Sequence, residues 1–392
     1  MEHVALTPPS WYAGDVVTSP TASMLAAIAN TTLLDDVFQE DPTTNALEAD
    51  VAELTGHEAA LLVLSGTMGN QVALRSLLTQ PPHAVLCDAR AHILGWEAGG
   101  VASLCGALVQ GVAPSNGLYL TLEDIARKVV LSDDVHACPT RVISLENTLG
   151  GSVMPLDEAR RITSWARRHD IRTHLDGARL WHAPVAGAGS LTDYARDFDS
   201  VSLCFSKGLG APVGSILVGS RPLIARARWI RKSLGGGLRQ AGVISAAARV
   251  AVDETFGSGP WGKGGRLERS HKCAQRLGQH WTSCGGRLAR PVETNMVWLD
   301  LSSMAVDDGE TTEGSAGAEA EREKAFVALA SDHGLKVLGP RLVLHYQISE
   351  EAVERMERTM ELVLKRARST TRRSGKPETG QVEVRPKTYG TG

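Results

Sequence analysis

The sequence predicts an α/β fold: a large domain on a mainly parallel sheet, followed by a small α+β domain. Continuous apolar runs of strand length, such as "HAVLCD" and "TRVISLEN", alternate with segments of helical periodicity, such as "PLDEARRITSWARRHD". Runs without polar alternation belong to strands buried on both faces, as they are when helices cover a parallel sheet. The second observation is length, because 392 residues exceed what a single core usually holds. The third is a change of pattern after about Val250, where isolated strands sit between long helices.

Residues 1–30 read as an N-terminal arm: Pro8, Pro9 and Pro20 precede "TASMLAAIAN", where Thr21 or Ser23 caps a short helix. Residues 31–250 form the large domain. Within it "ALEADVAELT" has helical spacing, and "AALLVLSGTMGNQVALRSLL" reads as strand, glycine-containing turn and helix. "HAVLCD", "TRVISLEN" and "IRTHLDGARL" repeat the strand-to-helix alternation. Residues 251–366 form the small domain, with helices at "RSHKCAQRLGQHW" and "EEAVERMERTMELVLKRA" and strands at "NMVWLDL" and "RLVLHYQ". An acidic, Gly- and Ser-rich insertion at 302–322 reads as a solvated loop, and 367–392 as a disordered tail.

Composition is 43% hydrophobic and 22% charged with net charge -3, which gives no electrostatic footprint for nucleic acid or an anionic membrane. The six cysteines are scattered without a C-x-x-C pair, as expected for reduced thiols in the cytoplasm rather than disulfides. No run of about 18 apolar residues suggests a membrane span, and no metal-ligating cluster is visible.

In parallel sheets ligands bind at the carboxyl ends of strands, so loop residues there are the candidates. Ser65, Gly66 and Thr67 lie directly before a helix, where free N–H groups and the helix dipole favour a phosphate; ordinary N-capping explains them equally well. Asp176, with Gly177 and Arg179, follows a strand, where an aspartate suits a pyridinium nitrogen and an arginine a carboxylate. Alone, this pair reads as a structural salt bridge. "SLCFSKGLGAPVGS" then sets Lys207 at a strand end that opens into Gly208, Gly210 and Gly214. A phosphate nest, a buried carboxylate and this lysine are together the parts that hold pyridoxal 5'-phosphate as a lysine Schiff base.

Here the chain resembles the threonine aldolase family of fold-type-I pyridoxal phosphate enzymes, above all its fungal low-specificity L-threonine aldolase branch. The matching stretches include "SGTMGNQ", "CDARAHILGWEAGG", "TRVISLENTLGGSVMPLDE", "HLDGARLW", "LCFSKGLGAPVGSILVG", "GGGLRQAG" and "LVLHYQ", spread over roughly Ser10 to Lys365. The resemblance implies the aspartate-aminotransferase-like fold and a lyase producing glycine and an aldehyde. It implies that Lys207 carries the cofactor, Asp176 faces the ring nitrogen, and Gly66, Thr67 and Ser206 bind the phosphate. His92 would stack on the ring, Asn147 would approach the ring oxygen, and Arg239 would reach a neighbouring subunit's cofactor. Arg179 and Arg341 would grip the substrate carboxylate, and His92 or His136 would act as base. A homodimer or homotetramer with shared sites and a small amino-acid substrate are implied in the same way. The remaining histidines, such as His57, His271 and His280, are expected on surfaces, and Trp96 and Trp181 in a wall or core.

The chain departs from the family pattern at the substrate end. Where the family has Arg-Ser-Asp-Thr, this chain has Ala13, Gly14, Asp15 and Val16, so Gly14 occupies a substrate-binding position without its hydroxyl. Phe38 and Gln39 replace a Tyr-Gly pair. A lost donor to a charged group costs about 1.5–3 kcal/mol, enough to shift substrate preference. A racemase of a small amino acid such as alanine is therefore the competing expectation, and a non-catalytic paralogue a third.

Overall fold

The computed structural model describes residues 10–304 and 316–374. Seven strands form the large sheet: β1 (Ala59–Val63), β2 (Ala84–Asp88), β3 (Leu108–Val112), β4 (Thr140–Glu146), β5 (Arg172–Gly177), β6 (Ser200–Cys204) and β7 (Ser215–Gly219). Their order is β1-β7-β6-β5-β4-β2-β3. Neighbours from β6 to β3 run parallel, and β7 is antiparallel to both β6 and β1. All strands but β7 therefore end at the same edge of the sheet.

Burial explains the apolar strands: every residue of β2, β6 and β7 is buried, because helices cover both faces. Local signals fix the helix ends. α1 (Ala22–Ala29) starts at Thr21, whose side chain accepts from the Met24 N–H. α2 (Pro42–Thr55) is capped by Asp41, has Pro42 in its first turn and ends at Gly56 in the left-handed region. α3 (Gly66–Leu77) packs across the sheet so closely that a Cβ on Gly69 would lie 2.4 Å from the Ser202 hydroxyl.

The small domain is a three-stranded antiparallel sheet, ordered β10-β11-β12, with three long helices. Its strands β10 (Arg287–Leu288), β11 (Met296–Asp300) and β12 (Arg341–Val343) follow the short hairpin β8 (Gly257–Ser258) and β9 (Lys263–Gly264). Phe256 and Leu267 still pack into the large core, past the expected boundary at 250, and the second core takes over from Ala274. The arm is not separate from this domain: Tyr12 is fully buried in the small core, and its N–H and C=O bond to Lys336 and Val343. That docking carries the next residues, Gly14 and Asp15, to the carboxyl edge of the large sheet.

Of the expected insertion, residues 305–315 lie outside the described residues, whereas Ala316 onward already belongs to the helix Ala316–Asp332. The last helix runs to Ser374, beyond the boundary set at 366, and the tail from 375 lies outside the described residues. Among the described residues no helix is long and apolar enough to cross a membrane. None of the six cysteines is in a disulfide, and Cys87, Cys105 and Cys204 are buried.

Candidate active site

Parallel register lines the candidate residues up. Glu146 pairs with Asp176 across β4 and β5, and Asp176 with Ser202 across β5 and β6. The Asp176 carboxylate is buried, accepting from the Ala178 N–H at 3.0 Å and from Asn70 Nδ2 at 2.7 Å. Asn147 follows β4 and is held by its Oδ1, which accepts from the Met154 N–H. Its Nδ2 has no partner among the described residues, so it can donate to a bound group.

The candidate phosphate nest is the N-terminus of α3. Ser65 caps α3 by accepting from the Met68 N–H at 3.1 Å, so its hydroxyl serves the helix. The N–H groups of Gly66 and Thr67 belong to the first turn, where no intrahelical acceptor exists. Next to Gly66 lies the Ser215 hydroxyl, buried and without a partner, 3.9 Å from where a Gly66 Cβ would stand. Unsatisfied N–H groups at a helix N-terminus beside an orphaned hydroxyl, above a buried carboxylate and a lysine, fit a phosphorylated pyridine cofactor. Ser206 flanks this place, its hydroxyl 3.2 Å from Cys204 Sγ.

His92 opens α4 (His92–Gly95) after β2. Its backbone N–H donates to Glu146 at 2.9 Å, and its Nδ1 lies 2.8 Å from Glu97 Oε1. Possible ligand atoms of His92, Glu97 and Asp176 all lie within 4.8 Å of one another, so the imidazole stands over the Asp176 end of the sheet. Among the described residues His280, Cys284 and Glu361 form a second such group, far along the chain from any strand end of the large sheet. Burial, reinforced by the Asp176 charge, pushes the Glu146 carboxyl up to about 8. Glu146 is thus a proton-holding group inside the site that the strand pattern alone did not single out.

Lys207 follows β6, and its amine has no hydrogen-bond or ion-pair partner among the described residues. The next residue explains the glycine there: Gly208 has φ +65°, and a Cβ would lie 2.7 Å from His182 Nε2. The Gly208 N–H donates to the carbonyl of Asp15, tying the lysine loop to the arm. Asp15 itself is fully buried and receives a bidentate fork from Arg179, Nε at 2.8 Å and Nη2 at 2.6 Å. Burial would raise its carboxyl, but the Arg179 charge and hydrogen bonds, helped by His182 and Lys207, hold it well below the usual range. Arg179 is thus oriented by Asp15 and not by Asp176, the partner that the sequence alone suggests for a salt bridge. Arg341 leads β12 with its guanidinium 5.8 Å from the Trp298 ring; partial desolvation and the Arg179 charge lower its pKa, which places the two guanidinium groups in one field. Gly14 is buried beside Asp15 with only Val16 near its Cβ direction, at 3.4 Å.

His136 and Trp96 are placed elsewhere. His136 precedes β4, at the amino edge of the sheet, with its side chain 91% exposed and its Nδ1 2.9 Å from Asp134; the chain does not bring it to the other residues. Arg239 is exposed and pairs with Asp35. Trp96 is 76% exposed, whereas Trp181 is core. His271 is not a surface residue: it is buried, with Nε2 2.8 Å from His182 Nδ1. Asn70, Glu97, Glu146 and Asp15 lie within the quoted stretches or beside them, but only packing shows that they touch.

The beta-eliminating lyase family matches residues 13–303, from the arm to just past the small-domain sheet's central strand. The chain belongs to the beta-eliminating lyase family. It is a pyridoxal phosphate-dependent lyase of fold type I, as the site's parts suggested. The chain is 55% identical to aldolase vrtJ of Penicillium aethiopicum, over 89% of this chain and 84% of that one. It is 45% identical to alanine racemase TOXG of Cochliobolus carbonum, covering 88% and 84%. With the low-specificity L-threonine aldolase of Candida albicans identity is 44%, covering 88% of each chain. Among solved structures, the threonine aldolase of Leishmania major superposes with a TM-score of 0.73 at 20% identity, over 92% of this chain and all (100%) of that one. This lyase family member therefore keeps the fold of its solved relatives.

Proposed function

We propose that the chain cleaves L-threonine, L-allo-threonine or a related β-hydroxy-α-amino acid to glycine and an aldehyde. The observation that carries this reading is His92, whose Nδ1 faces the buried Glu97 carboxylate and whose ring stands beside Asp176. Bound pyridoxal phosphate supplies the electron sink for cleavage at Cα. Gly66 and Thr67, with Ser206, would hold its phosphate, Asp176 its ring nitrogen and Asn147 its ring oxygen, and Lys207 would be the attachment point. Arg179 and Arg341 bind the substrate carboxylate by charge-assisted hydrogen bonds. His92 removes the β-hydroxyl proton, since a neutral imidazole is a competent base near neutral pH.

Racemisation of a small amino acid is the second reading, favoured by Gly14 and Phe38 at substrate-end positions. Oligomerisation with shared sites is supported by Leu33, Leu34, Phe38 and Trp96, each more than half exposed, and by Arg239 at the surface. The cytoplasm suits six cysteines outside any disulfide. The purified protein should be incubated with L-threonine, L-allo-threonine and L-alanine while acetaldehyde and D-alanine are followed. Acetaldehyde without D-alanine supports the aldolase; D-alanine with little acetaldehyde replaces it with the racemase. A protein with no visible cofactor band would sink both.

A further inference from the structure

We infer that Glu97 is a positioning residue that sets which nitrogen of His92 carries the proton. The inference rests on the reading of His92 as base and deepens it. The Glu97 side chain is fully buried, and the chain turns sharply just after it, with Ala98 at φ +52° and Gly99 at φ +68°. Gly100 then passes so close to Gln71 that a Cβ would lie 2.7 Å from its side-chain amide carbon. This is the physical content of "EAGG": the backbone folds tightly so that the carboxylate reaches under His92 and against α3.

The hydrogen bonds around Glu97 fix every tautomer in sequence. Oε1 accepts from Asn70 Nδ2 at 2.8 Å and Oε2 from Gln71 Nε2 at 2.5 Å. The second N–H of Asn70 goes to Asp176 at 2.7 Å, so its Oδ1 must face His174 Nε2, 3.0 Å away. Burial holds His174 neutral, its pKa pushed down to about 4. With Nε2–H donating to Asn70, its Nδ1 accepts from the Ser200 hydroxyl at 2.8 Å. The Asn70 amide is thereby locked, and its two N–H groups tie the Glu97 carboxylate to the Asp176 carboxylate. A carboxylate only accepts, so His92 Nδ1 must carry the proton toward Glu97. The lone pair of the neutral ring is then on Nε2, which has no partner among the described residues and is the nitrogen left to take a proton. A buried carboxylate orienting a basic histidine is the logic of a catalytic triad's third member.

The test reads the tautomer directly, by long-range proton–nitrogen correlation on the His92 ring in apoprotein and in cofactor-loaded protein, with His92→Gln giving the assignment. The wild type should carry its proton on Nδ1; a proton on Nε2 would overturn the inference whatever any variant does. Glu97→Leu removes every acceptor and should populate the Nε2–H form, with kcat falling tenfold or more and KM changing less than threefold. Glu97→Gln keeps one acceptor if the Gln71 amide turns, and should retain the Nδ1–H form and recover most of the loss. Glu97→Leu with an unchanged tautomer and kcat within threefold of wild type would refute the assignment. If His92→Gln turned over as well as wild type while Glu97→Leu still moved the ring proton, positioning by Glu97 would stand and the base reading would fail.

Discussion

Replacing Asp15 with asparagine tests how the arm and the large domain are joined. Asp15 is wholly buried, and its two oxygens accept from Arg179 at 2.8 and 2.6 Å, with Asn295 Nδ2 a further 3.4 Å neighbour. Asparagine has the same size, so no cavity opens, but its amide nitrogen must face a guanidinium N–H. Removing one partner of a buried ion pair costs about 3–5 kcal/mol, because the other charge stays buried and unpaired. Arg179 keeps 19% of its side-chain exposure, so water reaches part of it and the lower end, about 3 kcal/mol, is expected. Urea unfolding of the cofactor-loaded protein should show a lower midpoint with an unchanged slope. The Gly208 N–H bonds to the Asp15 main-chain carbonyl, which the substitution leaves in place, so the visible cofactor band should survive. KM for the amino acid should rise, since the Arg179 fork loses its orienter. A loss of stability below about 1 kcal/mol would refute the claim that this pair bears on folding.

Burial pushes His182 down to about 3 and His271 to about 4. Their folded pKa values lie below the unfolded 6.5, so the unfolded chain binds more protons, and stability present above pH 6.5 is lost as pH falls toward 4. The urea midpoint should drop over that window, and less so in His271→Gln; equal pH slopes would count against it. Glu146 has the opposite sign: raised to about 8 from 4.5, it holds a proton that the unfolded chain lacks between those values, so its contribution declines as pH rises. Apoprotein carrying Glu146→Gln should therefore gain on wild type from pH 5 to pH 8, and a constant gap would contradict this. Gly14→Ser places a hydroxyl where a Cβ has ordinary contact with Val16 alone. It should lower KM for L-threonine roughly tenfold, the worth of a bond to a charged group, with stability within about 0.5 kcal/mol; an unchanged KM would mean that Gly14 does not face the substrate.

What the sequence determined by itself was the chemistry attached to single strand ends. Gly66 and Thr67 opening α3, Asp176 at the end of β5 and Lys207 after β6 are set by signals within a few residues: an apolar run that must be a strand, then a cap, a carboxylate or a glycine turn. Sheet topology then forces these ends to one edge, so their meeting was implied by the fold class. Which groups touch at that edge is another matter. Asp15 reaches Arg179 only because Tyr12 is buried in the small domain. Glu97 meets Asn70 because a tight left-handed turn folds it against α3. His271, on an amphipathic helix, looks like a surface residue until the large domain covers it with His182. The resemblance assigns His136 to the site, yet it lies at the amino edge because its loop enters β4 rather than leaving it. Strand-end position is a local property of the chain, whereas burial and hydrogen-bond partners depend on surfaces brought together from distant segments, and only the tertiary structure decides those.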